Sequence, residues 1–354
     1  MYILEVILIL GILVLVHELG HFLSAKSIGI PVKQFALGFG PALISKRWGE
    51  TEMRLNALPL GGYCAFADDM EGGEEEADPN EPPIDPKTML RHRGWWERAW
   101  VISAGVISNF LLAYFILVAM VAVVGVSTVK PGVQIQNLLP EMPGIQAGLQ
   151  PGDTITKVNS HVIQGSQDFI DTVRKHPGQP VQLSVERKGQ PLTIAVTPTD
   201  KGKIGAGIQS RFETKKAQHF WEPWVMGAKQ QWDMTVTLVD GLGQLFTGRM
   251  PLSSVGGPIE IVNIGSKVAQ ADPNNLFAFT ALISIELAII NFLPLPALDG
   301  GLIIMLILEA VRRKRLPEKV EMRINQVGLV ALLSLGVLLI VKDLVSIGRS
   351  FFGG

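Results

Sequence analysis

An apolar run from Ile3 to Val16 leads straight into His17-Glu18-Leu19-Gly20-His21, and this junction narrows the available folds more than any other stretch. About 20 apolar residues are enough to cross a bilayer as a helix. Ionisable groups in such a span cost roughly 2.5–3.5 kcal/mol each on insertion scales, so three together call for compensation. On a helix, His17 and His21 share one face, where both imidazoles can hold one metal ion. Glu18 lies beside them, placed to take a proton from a water on that metal. Zinc is the most economical compensation. The alternative is a pair of polar helix-end histidines facing lipid headgroups.

The segment has no basic leader, and the motif sits where a signal-peptide cleavage site would fall, so it reads as a retained membrane helix. Three further stretches are apolar enough to span a bilayer, at roughly 100–125, 276–292 and 326–345. The expected fold is therefore a polytopic α-helical membrane protein with four transmembrane helices. Composition agrees, with 47% hydrophobic and 18% charged residues and a mean hydropathy of +0.31. A formal charge of −1 gives no reason to propose a nucleic-acid partner. Cys64 is the only cysteine, so no intrachain disulfide is available.

Basic residues set the expected orientation. Arg312, Arg313, Lys314, Arg315, Lys319 and Arg323 lie between the last two spans and mark that connection as cytoplasmic. Lys26, Lys33, Lys46, Arg47, Arg91, Arg93 and Arg98 fall on the same side by parity. Region 127–275 and both termini are then outside. The resulting division is 1–25 (first span with the metal motif), 26–99 (a membrane-associated β element and an acidic loop), 100–126 (second span), 127–212 (a soluble domain), 213–275 (an amphipathic interfacial region), 276–311 (third membrane segment), 312–325 (basic loop) and 326–347 (fourth span).

Residues 31–66 alternate and carry glycine punctuation, which predicts short β-strands closed by Pro59-Leu60-Gly61-Gly62. Such a sheet offers an edge to an extended peptide, or is a plain structural hairpin. Residues 67–86, rich in Asp and Glu with Pro79, Pro82, Pro83 and Pro86, read as a disordered acidic loop. Residues 143–159 predict a short helix ending at Gly148, a turn at Pro151-Gly152-Asp153 and a strand to Asn159. A helix at 166–175 and strands at 181–187 and 191–197 follow. With Lys203-Ile204-Gly205-Ala206-Gly207-Ile208 as a peptide-carboxylate loop, this order resembles the circularly permuted PDZ domains of bacterial proteases. That resemblance places Ile204, Gly205 and Gly207 in a peptide groove. Residues 217–250, with Trp221, Trp224 and Trp232 among polar residues, suit a helix at the outer membrane interface. A helix packed on the soluble domain is the alternative.

A catalytic zinc usually keeps three protein ligands and one open position. A metzincin pattern would need Gly and His where Ser24 and Ser27 stand, so that class is excluded. Glu50 and Glu52 lie in the predicted sheet rather than on a helix. The remaining candidate is Asp299, in Asn291-Phe292-Leu293-Pro294-Leu295-Pro296-Ala297-Leu298-Asp299-Gly300-Gly301. Broken backbone at membrane depth is tolerated where protein or a watery cavity satisfies it, and a buried aspartate there needs a partner. A loop cap at the membrane surface is the alternative reading.

His17-Glu18-x-x-His21 in the first span, with Asn291-x-x-Pro294-x-Pro296-x-Leu298-Asp299-Gly300 in the third, resembles the site-2 protease family of intramembrane zinc metalloproteases. The bacterial regulator-of-sigma-E-protease type, here with a single PDZ domain, fits best. Phe39-Gly40-Pro41 and Pro59-Leu60-Gly61-Gly62-Tyr63 resemble its membrane-reentrant β element. Ala104-Gly105 and Asn109-Phe110 match its second span, and Gly257-Pro258-Ile259 the segment after the PDZ domain.

The resemblance implies Zn2+ held by His17, His21 and Asp299, with Glu18 as general base. It implies that Asn291, Phe39, Gly40, Pro294 and Pro296 contact an unwound substrate strand, and that the PDZ domain admits only substrates trimmed by an upstream protease. Partners would be single-span membrane proteins and the lipid bilayer, in the bacterial cytoplasmic membrane, with anti-sigma factors or signal-peptide remnants as substrates. This sequence departs from the pattern at Glu286, where relatives usually carry asparagine. Glu286 either hydrogen-bonds as the asparagine would or weakens substrate clamping. Val106 and Leu302 also depart from it, at positions that are not proposed ligands. Two competing readings are a membrane PDZ scaffold with a vestigial metal site and a zinc transporter.

Overall fold

The computed structural model describes residues 2–67, 85–251 and 255–352. Nearly all of the acidic stretch at 67–86 lies outside the described residues. The chain divides into two units, residues 1–120 with 221–354, and residues 121–220.

In the first unit, α1 (Tyr2–Ser27) buries Val6, Leu13, His17, Gly20, His21 and Ser24, a stripe at helical spacing that carries both histidines. Four helices among the described residues are long and apolar enough to cross a membrane. They are α1, α2 (Trp95–Val123), α7 (Asn275–Phe292) and the Lys319–Ser346 part of α9 (Glu318–Phe352). The stretch expected at 276–311 is two helices, α7 and α8 (Asp299–Arg312), separated by residues 293–298. Helix α9 begins before Lys319 and Arg323, so the basic connection is shorter than 312–325. Hydropathy locates only the apolar part of a helix, whereas backbone hydrogen bonding continues into its charged flank.

Between the first two spans lie β1 (Val32–Trp48) and β2 (Thr51–Phe66). Residues 42–48 pair with 51–56, where Trp48 faces Thr51 and Ala42 faces Asn56. Residues 34–37 lie on the other side of 52–55, and they also pair with 62–65. Each long strand therefore bends back on the sheet. Asn56 holds one bend by donating from Nδ2 to the Gly38 carbonyl at 2.9 Å.

The amphipathic stretch forms α5 (Glu222–Phe246), which rests on α2. Gln231 donates to the Phe110 carbonyl (3.0 Å), the Tyr114 hydroxyl donates to the Trp224 carbonyl (3.2 Å), and Trp224 packs on Tyr114 and Phe115. Trp232 remains exposed. Helix α6 (Pro258–Ala271) is capped from a distance, because the buried Asp343 on α9 accepts from the N–H groups of Gly257 and Glu260 at 3.2 and 3.0 Å.

The second unit is a six-stranded antiparallel sheet with two helices. Its strands are β3 (Val126–Leu138), β4 (Thr154–Val158), β5 (His161–Val162), β6 (Val181–Arg187), β7 (Gln190–Val196) and β8 (Ala206–Lys215). They run in the order β7-β6-β4-β3-β8, with β5 on β4. Helices α3 (Pro143–Gln146) and α4 (Ser166–Arg174) complete it. Val181, Leu183 and Val185 alternate inward and meet Ile155, Ile135, Phe169 and Val173 in one core.

Asp153 is almost wholly buried at the head of β4. It takes two bonds from Arg187, at 2.7 and 2.8 Å, and one from the Gln150 N–H at 2.9 Å. The guanidinium holds this carboxyl below the usual carboxylate range. A depressed folded-state value gives stability that is complete above the ordinary aspartate range and is lost as pH falls through the lowered value. We expect Asp153→Ala to cost about 1.5–3 kcal/mol, the scale of hydrogen bonds to a charged group. Hydrogen exchange of the β4 and β6 amides at pH 7 checks this, and the gap from wild type should close in acid.

Candidate metal centre

Helix α1 meets α2 closely enough to need small residues. A side chain at Gly20 would run into Ser108 and the Ala104 backbone, and one at Gly105 would run into both His17 and His21. The two imidazoles thus lie on bare α2 backbone, 7% and 9% exposed as residues. His21 Nδ1 is 2.8 Å from the Val101 carbonyl oxygen. A carbonyl only accepts, so this nitrogen carries the proton and Nε2 of the neutral ring presents a lone pair. His17 Nδ1 faces the Asn109 side-chain amide at 3.2 Å.

Asp299 reaches the histidines because the chain breaks after α7. Residues 293–298 turn back with Leu295 N–H bonded to the Leu293 carbonyl (2.7 Å) and Ala297 at φ +68°. A non-glycine residue in that region costs of order 1–3 kcal/mol and persists only where its surroundings enforce it. Gly300 and Gly301 let the 292–296 backbone fold over the first turn of α8, since a Cβ at either would strike carbonyls of Phe292, Leu293 or Leu295. The other end of α8 is tied to α2 by Arg98 and Glu309 at 2.6 Å and by Trp95 donating to the Leu306 carbonyl at 3.1 Å.

The resulting cluster has a simple shape. His17 Nε2, His21 Nε2 and Asp299 Oδ2 form a triangle with all three sides 3.4 Å. Asp299 Oδ2 is buried without a hydrogen-bond partner. A lone pair on His21 and a carboxylate oxygen facing the same space suit a positive centre between them, a proton or a metal ion. Tetrahedral zinc with bonds of about 2.0–2.1 Å has ligand atoms about 3.3–3.4 Å apart, so the donor set fits zinc in chemistry and in spacing.

Glu18 projects beside this triangle and is met by the backbone of Cys64. Gly62 makes that approach feasible, since a Cβ there would lie 3.0 Å from Glu18 Cγ. Asn291, in the last turn of α7, brings Nδ2 to 3.4 Å from His17 Nε2. Pro294 and Pro296 belong to the loop that delivers Asp299, and Pro296 lies against Gly328 of α9. Phe39 stacks on Tyr63 at 6.1 Å and lies over Gly61, so Phe39 and Gly40 belong to the hairpin bend and not to the donor cluster.

In the second unit, Ile204 is part of the core and its carbonyl accepts from Gly144, while that of Gly205 accepts from Leu139. Gly207 lies against Asn137. Glu286 is half-buried on α7, with no hydrogen-bond partner among the described residues. Gly105 and Asn109, which in the sequence only match the second span of the resembled family, and Val101, which carries no such signal, are given their roles by contact with α1. The legible signal was an asparagine in an apolar span, four residues after a glycine.

The family description "Peptidase family M50" matches residues 5–335. A protein of Nostoc sp., carried under a provisional zinc-metalloprotease name, is 42% identical over 97% of this chain and 96% of its own. The chloroplastic membrane metalloprotease ARASP of Arabidopsis thaliana is 36% identical, covering 98% of this chain and 79% of that one. The zinc metalloprotease RasP of Geobacillus kaustophilus is 30% identical over 97% of each. The PDZ domain of an SdrC-like protein from Listeria monocytogenes matches 25% of this chain and 93% of its own at 24% identity and a TM-score of 0.20, too low a score to rest the fold on. With the family match running through both His17-Glu18-x-x-His21 and Asp299, and relatives aligned over nearly its whole length, the chain belongs to peptidase family M50, a family of zinc metalloproteases.

Proposed function

We propose that this membrane metalloprotease is an intramembrane endopeptidase, hydrolysing peptide bonds within or at the edge of the bilayer in single-span proteins that another protease has already trimmed. The observation that carries the reading is the triangle of His17, His21 and Asp299 donor atoms, 3.4 Å on each side, with both histidines on a helix apolar enough to span a membrane. Zinc, when bound there, supplies a Lewis acid for the scissile carbonyl and makes water a stronger nucleophile.

Glu18 takes the proton from the attacking water on its carboxylate and passes it to the leaving amine. Asn291 holds the substrate backbone beside His17. A helical substrate keeps its carbonyls in its own hydrogen bonds, so the segment to be cut must first be drawn out as a strand. The 62–66 segment of β2, next to Glu18, offers backbone groups to pair with it, and the hairpin with Phe39 and Gly40 dips into the bilayer. The metal site lies toward the cytoplasmic face, a reading that the basic residues beside the first, second and fourth spans support. Residues 127–212, a PDZ domain on the opposite side, act as a size filter, with Ile204, Gly205 and Gly207 near its groove. The membrane is the bacterial cytoplasmic membrane, and anti-sigma factors and signal-peptide remnants are the substrate classes.

The test uses purified protein in detergent with a single-span substrate carrying either a short or a full-length outer domain, the cut located by mass spectrometry. We expect cleavage inside the apolar segment, preference for the short form, loss on chelation and recovery with zinc. Cleavage confined to the soluble flanks, or unaffected by chelation, would overturn the proposal.

A further inference from the structure

On α2, Val101, Gly105 and Asn109 are spaced four apart and form one stripe against the two histidines of α1. Val101 gives a carbonyl to His21 Nδ1, Gly105 leaves room for both rings, and Asn109 faces His17 Nδ1. Asn109 is completely buried, and its backbone carbonyl is pinned by the Ser284 hydroxyl of α7 at 2.8 Å. The two histidines therefore differ. The partner of His21 can only accept, which fixes its tautomer. The partner of His17 is an amide, which can offer either an N–H or an oxygen to the same point after a half-turn of its terminal torsion.

In the structure the Asn109 Nδ2 lies toward Nδ1, and Oδ1 is buried with no hydrogen-bond partner. That orientation suits a His17 ring protonated on Nε2. When Nε2 binds a metal, the ring proton must sit on Nδ1 and needs an acceptor. Asn109 Oδ1 is one half-turn away and otherwise unused.

We infer that Asn109 is a positioning residue for His17: its side-chain oxygen accepts the Nδ1 proton and so turns the Nε2 lone pair toward the metal. This rests on the metal-ligand role proposed above for His17. The amide serves both tautomers, so the ring stays held in the same orientation whichever nitrogen carries the proton.

The experiment is zinc affinity by chelator competition on the full-length, detergent-solubilised protein, comparing wild type, His17→Ala, Asn109→Leu and Asn109→Asp. Leucine keeps the branching of the side chain without the acceptor, and we expect it to weaken zinc binding about 10–100-fold, the usual effect of removing a group that orients a ligand. Aspartate can only accept, so Asn109→Asp should bind within a few-fold of wild type. Wild-type affinity in Asn109→Leu, or equal losses in both Asn109 variants, would overturn the inference. Unchanged affinity in His17→Ala would instead sink the metal reading itself. A measurement on the unmutated protein stands apart from any folding defect: nitrogen-15 shifts of zinc-loaded wild type should show His17 protonated at Nδ1, and a bare Nδ1 there overturns the inference.

Discussion

Glu18→Gln should remove cleavage of a single-span substrate by about 10²–10⁴-fold, the range over which a positioned acid–base group contributes, while zinc content stays at the wild-type level. Glutamine keeps the size of the side chain and its place beside Gly62 and Cys64, and it belongs to none of the three corners of the donor triangle. What it lacks is a carboxylate that takes a proton and returns it. The paired measurement is cleavage rate and metal stoichiometry on the same preparation. Undiminished cleavage would remove Glu18 from the mechanism, and loss of zinc together with activity would make it part of the ligand set instead.

The second large effect is expected from a single methyl group. A Cβ at Gly105 would press on His21 Nε2 and lie 2.7 Å from His17 Cε1 and 2.8 Å from His21 Cε1. These are backbone-fixed positions meeting rings already held by Val101 and Asn109, so neither side can give way cheaply. Gly105→Ala should therefore displace both donor nitrogens and lower zinc affinity at least 100-fold, since displacing two ligands should exceed the 10–100-fold effect of disturbing one supporting group. The helix should gain slightly, because alanine is favoured over glycine in a helix interior by about 0.8–1.0 kcal/mol. Zinc content by elemental analysis, set beside circular dichroism, separates the two. A Gly105→Ala protein that is helical and fully loaded with zinc would show that the histidines have room the structure does not give them.

These two positions also mark what can be read from the chain alone. His17 and His21 are visible in the sequence because a four-residue spacing is local to one helix, and an apolar setting makes the motif conspicuous. Asp299 is visible for a related reason, since two prolines and two glycines interrupt a run that would otherwise continue as helix. Gly105 and Asn109 sit in an equally apolar span, yet their roles depend on which face of α2 meets α1, and no pattern within α2 states that. The sheet is similar. Alternation gives strands at 31–66, but the return of 34–37 to lie between 52–55 and 62–65 is a register decided by packing. Helix α6 was not expected at all. Its N-terminus is closed by Asp343 from a distant helix rather than by a capping residue at its own start.

The donor triangle draws two corners from α1 and one from the head of α8, far apart in sequence. That arrangement has a consequence for biosynthesis. A growing chain holds its two histidines from the outset but lacks the third donor until residue 299 has been made and α8 has folded back against α1. Every fragment ending before that point carries an unfinished site, so the full donor set arrives only once α8 has been made and packed.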